Sequence, residues 1–84
     1  MTVVEPLILY SRVDCHLCDQ AVLMLDELGL PWQPVDIDTD AELASRYGLT
    51  VPVVRDPQNG RELAFPFSLE DLATAFMGGG RGRP

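Results

Sequence analysis

Leu7-Ile8-Leu9-Tyr10-Ser11-Arg12-Val13-Asp14-Cys15-His16-Leu17-Cys18 is the stretch whose reading decides the fold. Its first four residues form a continuous apolar run, the pattern of a strand buried on both faces. Its last four hold the chain's only two cysteines, two residues apart, where helical periodicity begins. A sulfur at a helix N-terminus faces unpaired backbone N–H groups and the positive end of the helix dipole, which favour thiolate over thiol. A second cysteine one turn further on can close a disulfide with it.

Outward from that stretch the order of elements follows. Leu17, Ala21, Met24, Leu25 and Leu28 make one stripe at the helical period, and Gly29 with Pro31 ends it. Trp32 to Ile37 reads as a second strand, ending at Asp36-Ile37-Asp38. Thr39 with Glu42 predicts a capping box for a short helix carrying Leu43, Ala44 and Tyr47 and stopping at Gly48. Val51-Pro52-Val53-Val54 reads as a third strand with proline at its start. Asp56-Pro57-Gln58-Asn59-Gly60 is dense in turn residues and predicts a hairpin into Arg61 to Phe65. Ser68 with Asp71 offers a second capping box, and Leu69, Leu72, Ala73 and Phe76 line one face of the helix that follows. Residues 1–77 thus read as one domain, and 78–84, rich in glycine and arginine, as a flexible tail.

The resulting order is β-α-β-α-β-β-α. A βαβ start needs parallel strands, and the hairpin adds an antiparallel edge. The expected fold is α/β: a four-stranded mixed sheet flanked by three helices. A C-x-x-C at the first βα junction of such a pattern points to a thioredoxin-like redox domain.

Composition narrows the function classes. Eighty-four residues support one small core. Thirteen acids against six bases, all of them arginine, leave a net charge of −7 and disfavour nucleic acid, whose affinity rests on neutralising phosphates. The first residues lack a basic start, and the apolar run after them is too short for a signal or a membrane span. Closely spaced cysteines in such a chain read as catalytic or metal-binding, and the expected compartment is the cytoplasm. A closed zinc site needs about four ligands, whereas the chain offers two cysteines and one histidine. No metal and no bound cofactor is expected, and the chain reads as a monomer.

Tyr10-Ser11-Arg12-Val13-Asp14-Cys15-His16-Leu17-Cys18 resembles the active-site segment of glutaredoxins, in which Tyr-Ser-Lys, two residues and Cys-Pro-Tyr-Cys follow the first strand. Thr50-Val51-Pro52 resembles the family's Thr-Val-Pro, and Asp36-Ile37-Asp38 the acidic end of its second strand. The likeness runs over about residues 7–76, and the short length is similar to that of small bacterial glutaredoxin-like proteins. It implies the thioredoxin fold, a cis peptide before Pro52, and thiol–disulfide exchange on protein or glutathione mixed disulfides. Glutathione or a flavoprotein reductase would return the electrons. Three positions depart from the pattern: His16 stands for proline, Leu17 for an aromatic residue, and Phe67-Ser68 near the family's Gly-Gly.

Cys15, at the helix start, is the candidate nucleophile, and Cys18 is the candidate resolving thiol. Arg12 occupies the family's lysine position and favours the thiolate or a glutathione carboxylate, whereas Asp14 opposes the anion. His16 could tune the thiolate or carry a proton to the leaving thiol. With a cis Pro52, the Val51 backbone would pair with an extended substrate segment. Ser68, Glu70 and Asp71 mark a helix start that could bind a carboxylate, and the resemblance implies that the two acids receive the glutathione amino group. Two alternatives remain on the same fold: a redox-inactive binding module, and an iron–sulfur carrier with a cluster bridging two subunits.

Overall fold

A computed structural model of the chain describes residues 5–77; the expected tail at 78–84 lies outside them. The elements are β1 (Leu7–Ser11), α1 (His16–Glu27), β2 (Trp32–Asp36), α2 (Ala41–Tyr47), β3 (Val53–Arg55), β4 (Glu62–Ala64) and α3 (Leu69–Phe76), with a 3-10 turn at Ile37–Thr39. The strands run in the order β2-β1-β3-β4. β1 pairs with β2 in parallel, while β3 pairs antiparallel with both β1 and β4. This is the thioredoxin-like α/β architecture read from the sequence.

Strand alternation sends β1 side chains to both faces of the sheet. Leu7 and Leu9 join Val54 and pack with Ala21 and Leu25 of α1, with Phe67, and with Leu72 of α3. Tyr10 joins Val53, Ile37 and Tyr47 in a second cluster. There the rings of Tyr10 and Tyr47 stack with centroids 4.3 Å apart. Tyr47 Oη donates to Glu62 Oε2 at 2.5 Å, and Arg55 Nη1 donates to the same oxygen at 2.6 Å. These bonds satisfy the polar tip of a tyrosine that is otherwise buried. The hydrogen bond from Tyr47 holds the Glu62 carboxyl below its ordinary value, and Arg55 adds to the effect.

Turn chemistry ends the elements where expected. Gly29, at φ +70°, follows α1; its N–H reaches the Asp26 carbonyl and Leu30 N–H reaches Leu25, a Schellman close. Asp56 N–H to Arg61 carbonyl and Gly60 N–H to Asp56 carbonyl close the β3–β4 hairpin. Three expectations are corrected. The N-cap of α2 is Asp40, whose Oδ1 accepts from Glu42 N–H, not Thr39. Asp36 caps a 3-10 turn through Asp38 N–H, which draws Thr39 Oγ1 back to the Asp36 carbonyl and delays the helix by one residue. β3 begins at Val53, after Pro52. Leu17 and Leu69, read on the apolar stripes of their helices, are exposed, and both sit in first turns. No helix among the described residues is long and apolar enough to cross a membrane.

Leu25 is fully buried between α1 and the sheet. Leu25→Ala is expected to lower unfolding free energy by about 2–5 kcal/mol, a large share of the stability of so small a domain. Urea unfolding of the two proteins measures the difference, and a loss within ~0.5 kcal/mol would contradict this account of the core.

Candidate active site

Sheet register gathers the sequence-selected residues at one end of the fold. Ser11 ends β1 beside Asp36 of β2, and Arg12, Val13 and Asp14 carry the chain from there into α1. Val53 pairs with Tyr10, so Pro52 and Val51 lie at the same end. Phe65 N–H donates to the Pro52 carbonyl at 3.0 Å, which brings Phe65 to Ser68 and the start of α3 there as well. The Val51–Pro52 peptide is cis, as the resemblance implies; Phe65–Pro66 is also cis, which no residue pattern announced.

Cys15 is the N-cap of α1, with extended backbone at φ −110°. Its sulfur accepts from Cys18 N–H at 3.1 Å and takes the place that a serine or aspartate oxygen usually fills. The two cysteines are joined in a disulfide, with Cα atoms 5.2 Å apart. Cys15 is half-buried, whereas Cys18 is buried beneath it. An incoming sulfur can therefore approach Cys15 far more readily than Cys18. Asp14 precedes the pair in the left-handed region at φ +61°, a conformation that aspartate tolerates better than most residues. That turn swings the chain from β1 into α1 and leaves Val13 largely exposed. His16, the first helical residue, is exposed beside it.

Arg12 has other partners than the thiolate. Its Nε and Nη2 donate to the two carboxylate oxygens of Asp38 at 3.1 and 2.9 Å, and Nη1 donates to the Gly48 carbonyl at 3.0 Å. This fork ties the end of β1 to the 3-10 turn and to the end of α2. The hydrogen bonds from Arg12 hold the Asp38 carboxyl below its ordinary value and raise the guanidinium in turn. Sequence reading missed the pair, although the acids after β2 and an arginine after the parallel β1 were its signal.

The Val51 backbone is half committed. Its N–H donates to the Tyr47 carbonyl at 3.0 Å, so only its carbonyl is unpaired among the described residues. At α3 the capping box forms: Ser68 Oγ accepts from Asp71 N–H at 3.0 Å, and Asp71 Oδ2 from Ser68 N–H at 2.9 Å. Phe67 turns inward to the core, edge-on to Phe65, rather than out over the cysteines. A shallow open groove of ≈ 330 Å³ runs beside the β1–β2 ends, lined by Ser11, Arg12, Val13, Pro34 and Asp36. Among the described residues no three His, Cys, Asp or Glu side chains are grouped to hold a metal.

Comparison with known proteins agrees with this geometry. Residues 6–76 match the family model described as Glutaredoxin-like domain (DUF836). The X-ray structure of target protein XcR50 from X. campestris is 55% identical, with TM-score 0.73, over 79% of this chain and 88% of that one. The solution structure of protein Ne2328 from Nitrosomonas europaea is 26% identical, also with TM-score 0.73, over 88% and 95%. No curated protein matches the chain.

Two measurements probe this end of the fold. A carboxyl depressed in the folded state lends stability above its unfolded value and loses it as the pH falls through the folded value. The gap in urea midpoint between the native chain and Asp38→Asn should therefore be full at neutral pH and close as the pH drops below the ordinary aspartate value of about 3.9. A gap that persists into strong acid would contradict the pairing. Asp14→Asn keeps the left-handed turn and removes a charge next to Cys15. At neutral pH the thiolate fraction of the reduced protein should rise by up to ~5-fold, as one unit charge at 4 Å in water is worth about 1 kcal/mol. Iodoacetamide alkylation across a pH series would read this out, and an unmoved profile would mean that the Asp14 charge does not reach the sulfur.

Proposed function

The chain belongs to the family of glutaredoxin-like domains, and on that premise we propose that it is a thiol–disulfide oxidoreductase. In the forward direction the Cys15 thiolate attacks one sulfur of a substrate disulfide. A mixed disulfide forms and the first substrate thiolate leaves. The Cys18 thiolate then attacks Cys15 sulfur, the second substrate thiolate leaves, and the Cys15–Cys18 disulfide remains. Two electrons pass to the substrate, and the two protons lost by the cysteines end on its thiols. His16, exposed at the helix start, is suited to hand a proton to a leaving sulfur. A cytoplasmic thiol pool or a flavoprotein reductase would return the disulfide to the dithiol.

The observation that carries this reading is the sulfur cap on α1. A bond from Cys18 N–H and the positive helix terminus act on the half-buried Cys15, and both strengthen when the sulfur becomes an anion. The burial of Cys18 suits a resolving thiol, which needs to meet only Cys15.

Reduction of 2-hydroxyethyl disulfide or of a protein disulfide by the dithiol form tests the assignment. Cys15→Ser should abolish turnover. Cys18→Ser should accumulate the mixed disulfide on Cys15, visible as added mass that a reductant removes. Full activity in Cys15→Ser would end the proposal.

A further inference from the structure

The surface around the dithiol carries a chemical signature of its own. Of the six large apolar side chains exposed among the described residues, Val13, Leu17, Leu49 and Leu69 all stand on segments that converge at this end. Val13 lies two residues before Cys15, and Leu17 lies between the two cysteines. Leu49 precedes the Val51–Pro52 turn and is fully exposed, and Leu69 opens α3. Exposed apolar side chains clustered in this way mark an interaction surface more often than a chance scatter does.

Beside Arg12 and the exposed His16, the charged groups between them are acidic. Asp14 precedes Cys15, Asp19 lies in the first turn of α1, and Glu70 and Asp71 in the first turn of α3. Arg12, which would offset them, is already held by the Asp38 carboxylate. The α3 terminus has turned inward on itself: the Ser68 and Asp71 amides are taken by the capping box, so an incoming carboxylate would have to displace the Asp71 side chain or meet it. Glutathione carries more carboxylates than ammonium groups. It would approach an end of like charge whose anion-binding amides are partly occupied.

We propose that this end docks a protein partner, through an extended segment whose disulfide cysteine is flanked by apolar and basic side chains, in preference to glutathione disulfide. The inference rests on the redox reading above. The apolar flanks cover Leu49, Leu17 and Val13, and the basic ones face the acids at the starts of α1 and α3. The unpaired Val51 carbonyl is left to accept a backbone N–H of the segment.

Single-turnover reduction by the anaerobically reduced protein separates the outcomes. The substrates are glutathione disulfide, neutral 2-hydroxyethyl disulfide, and symmetrical disulfides of two short peptides, Leu-Arg-Cys-Leu-Arg and Leu-Glu-Cys-Leu-Glu. At low salt the arginine peptide should react at least ~10-fold faster than the glutamate peptide and than glutathione disulfide, and added salt should narrow that advantage. Leu49→Ser and Glu70→Gln lie outside the core and should each lower the rate with the arginine peptide more than the rate with 2-hydroxyethyl disulfide. Glutathione disulfide or the glutamate peptide reacting as fast as the arginine peptide would overturn the docking preference and leave the redox reading standing. No reaction with 2-hydroxyethyl disulfide would overturn both.

Discussion

β1 hydrogen-bonds to β2 on one side and β3 on the other, and its side chains alternate between two cores. Leu9 is fixed against Val54 and Tyr10 against Val53, so the point where the strand ends is set by packing on both faces of the sheet. A slip of one residue would send Leu9 toward the tyrosine cluster and Tyr10 toward α1. The loop that holds the cysteines can therefore begin only after Ser11, beside the Pro52 turn that β3 brings to the same end. The dithiol is placed by the register of a buried strand, and the loop supplies only the turn through Asp14.

Charge at that end is a contest between a helix terminus and carboxylates. A helix N-terminus is worth about 0.3–1 kcal/mol to an anion at the surface, and up to ~2 kcal/mol when partly buried. Cys15 is half-buried and accepts a direct N–H bond, which puts it toward the upper part of that range. The Asp14 carboxylate is exposed and water-screened, and opposes the anion by at most about 1 kcal/mol. The helix terminus prevails, but by a margin that one neighbouring acid can reduce. Arg12 cannot restore the balance, because its fork is matched to Asp38 and to the Gly48 carbonyl. An arginine is suited to such bidentate holding, and here it acts as a strut between β1 and the end of α2.

The features legible in the sequence were those fixed by short-range pattern. The apolar run of β1, the stripe of α1, the Gly29 stop, the hairpin turn and the Ser68–Asp71 box each depend on residues within a few positions of one another. The misreadings arose where neighbouring groups compete for the same amide, or where packing rather than period sets exposure. Thr39 has the right side chain for a cap, but Asp36 and Asp40 satisfy the neighbouring amides first. The N–H of Val51 reaches back four residues to the Tyr47 carbonyl at the end of α2, a local turn that a Val-Pro reading does not announce. Leu17 and Leu69 fit helical stripes by period alone, yet period does not show how far the sheet extends under a first turn. At the dithiol end those departures leave apolar side chains in water.

The disulfide itself contributes less to holding the domain than a bridge across a long loop would. A bridge across three positions closes the smallest loop a C-x-x-C allows, and the chain-entropy model gives such a loop only about 2 kcal/mol, against about 4.7 kcal/mol for a loop of roughly 100 residues. Leu9, Leu25, Val54 and Leu72 are buried by sheet and helix packing in a cluster that neither cysteine belongs to. The bond sits at the rim of that core, between a buried sulfur and a half-buried one. Opening it exchanges one N-cap acceptor for a better one, since a thiolate accepts the Cys18 amide more strongly than a disulfide sulfur does. A core cluster built without either sulfur is what a pair that cycles between the two oxidation states requires.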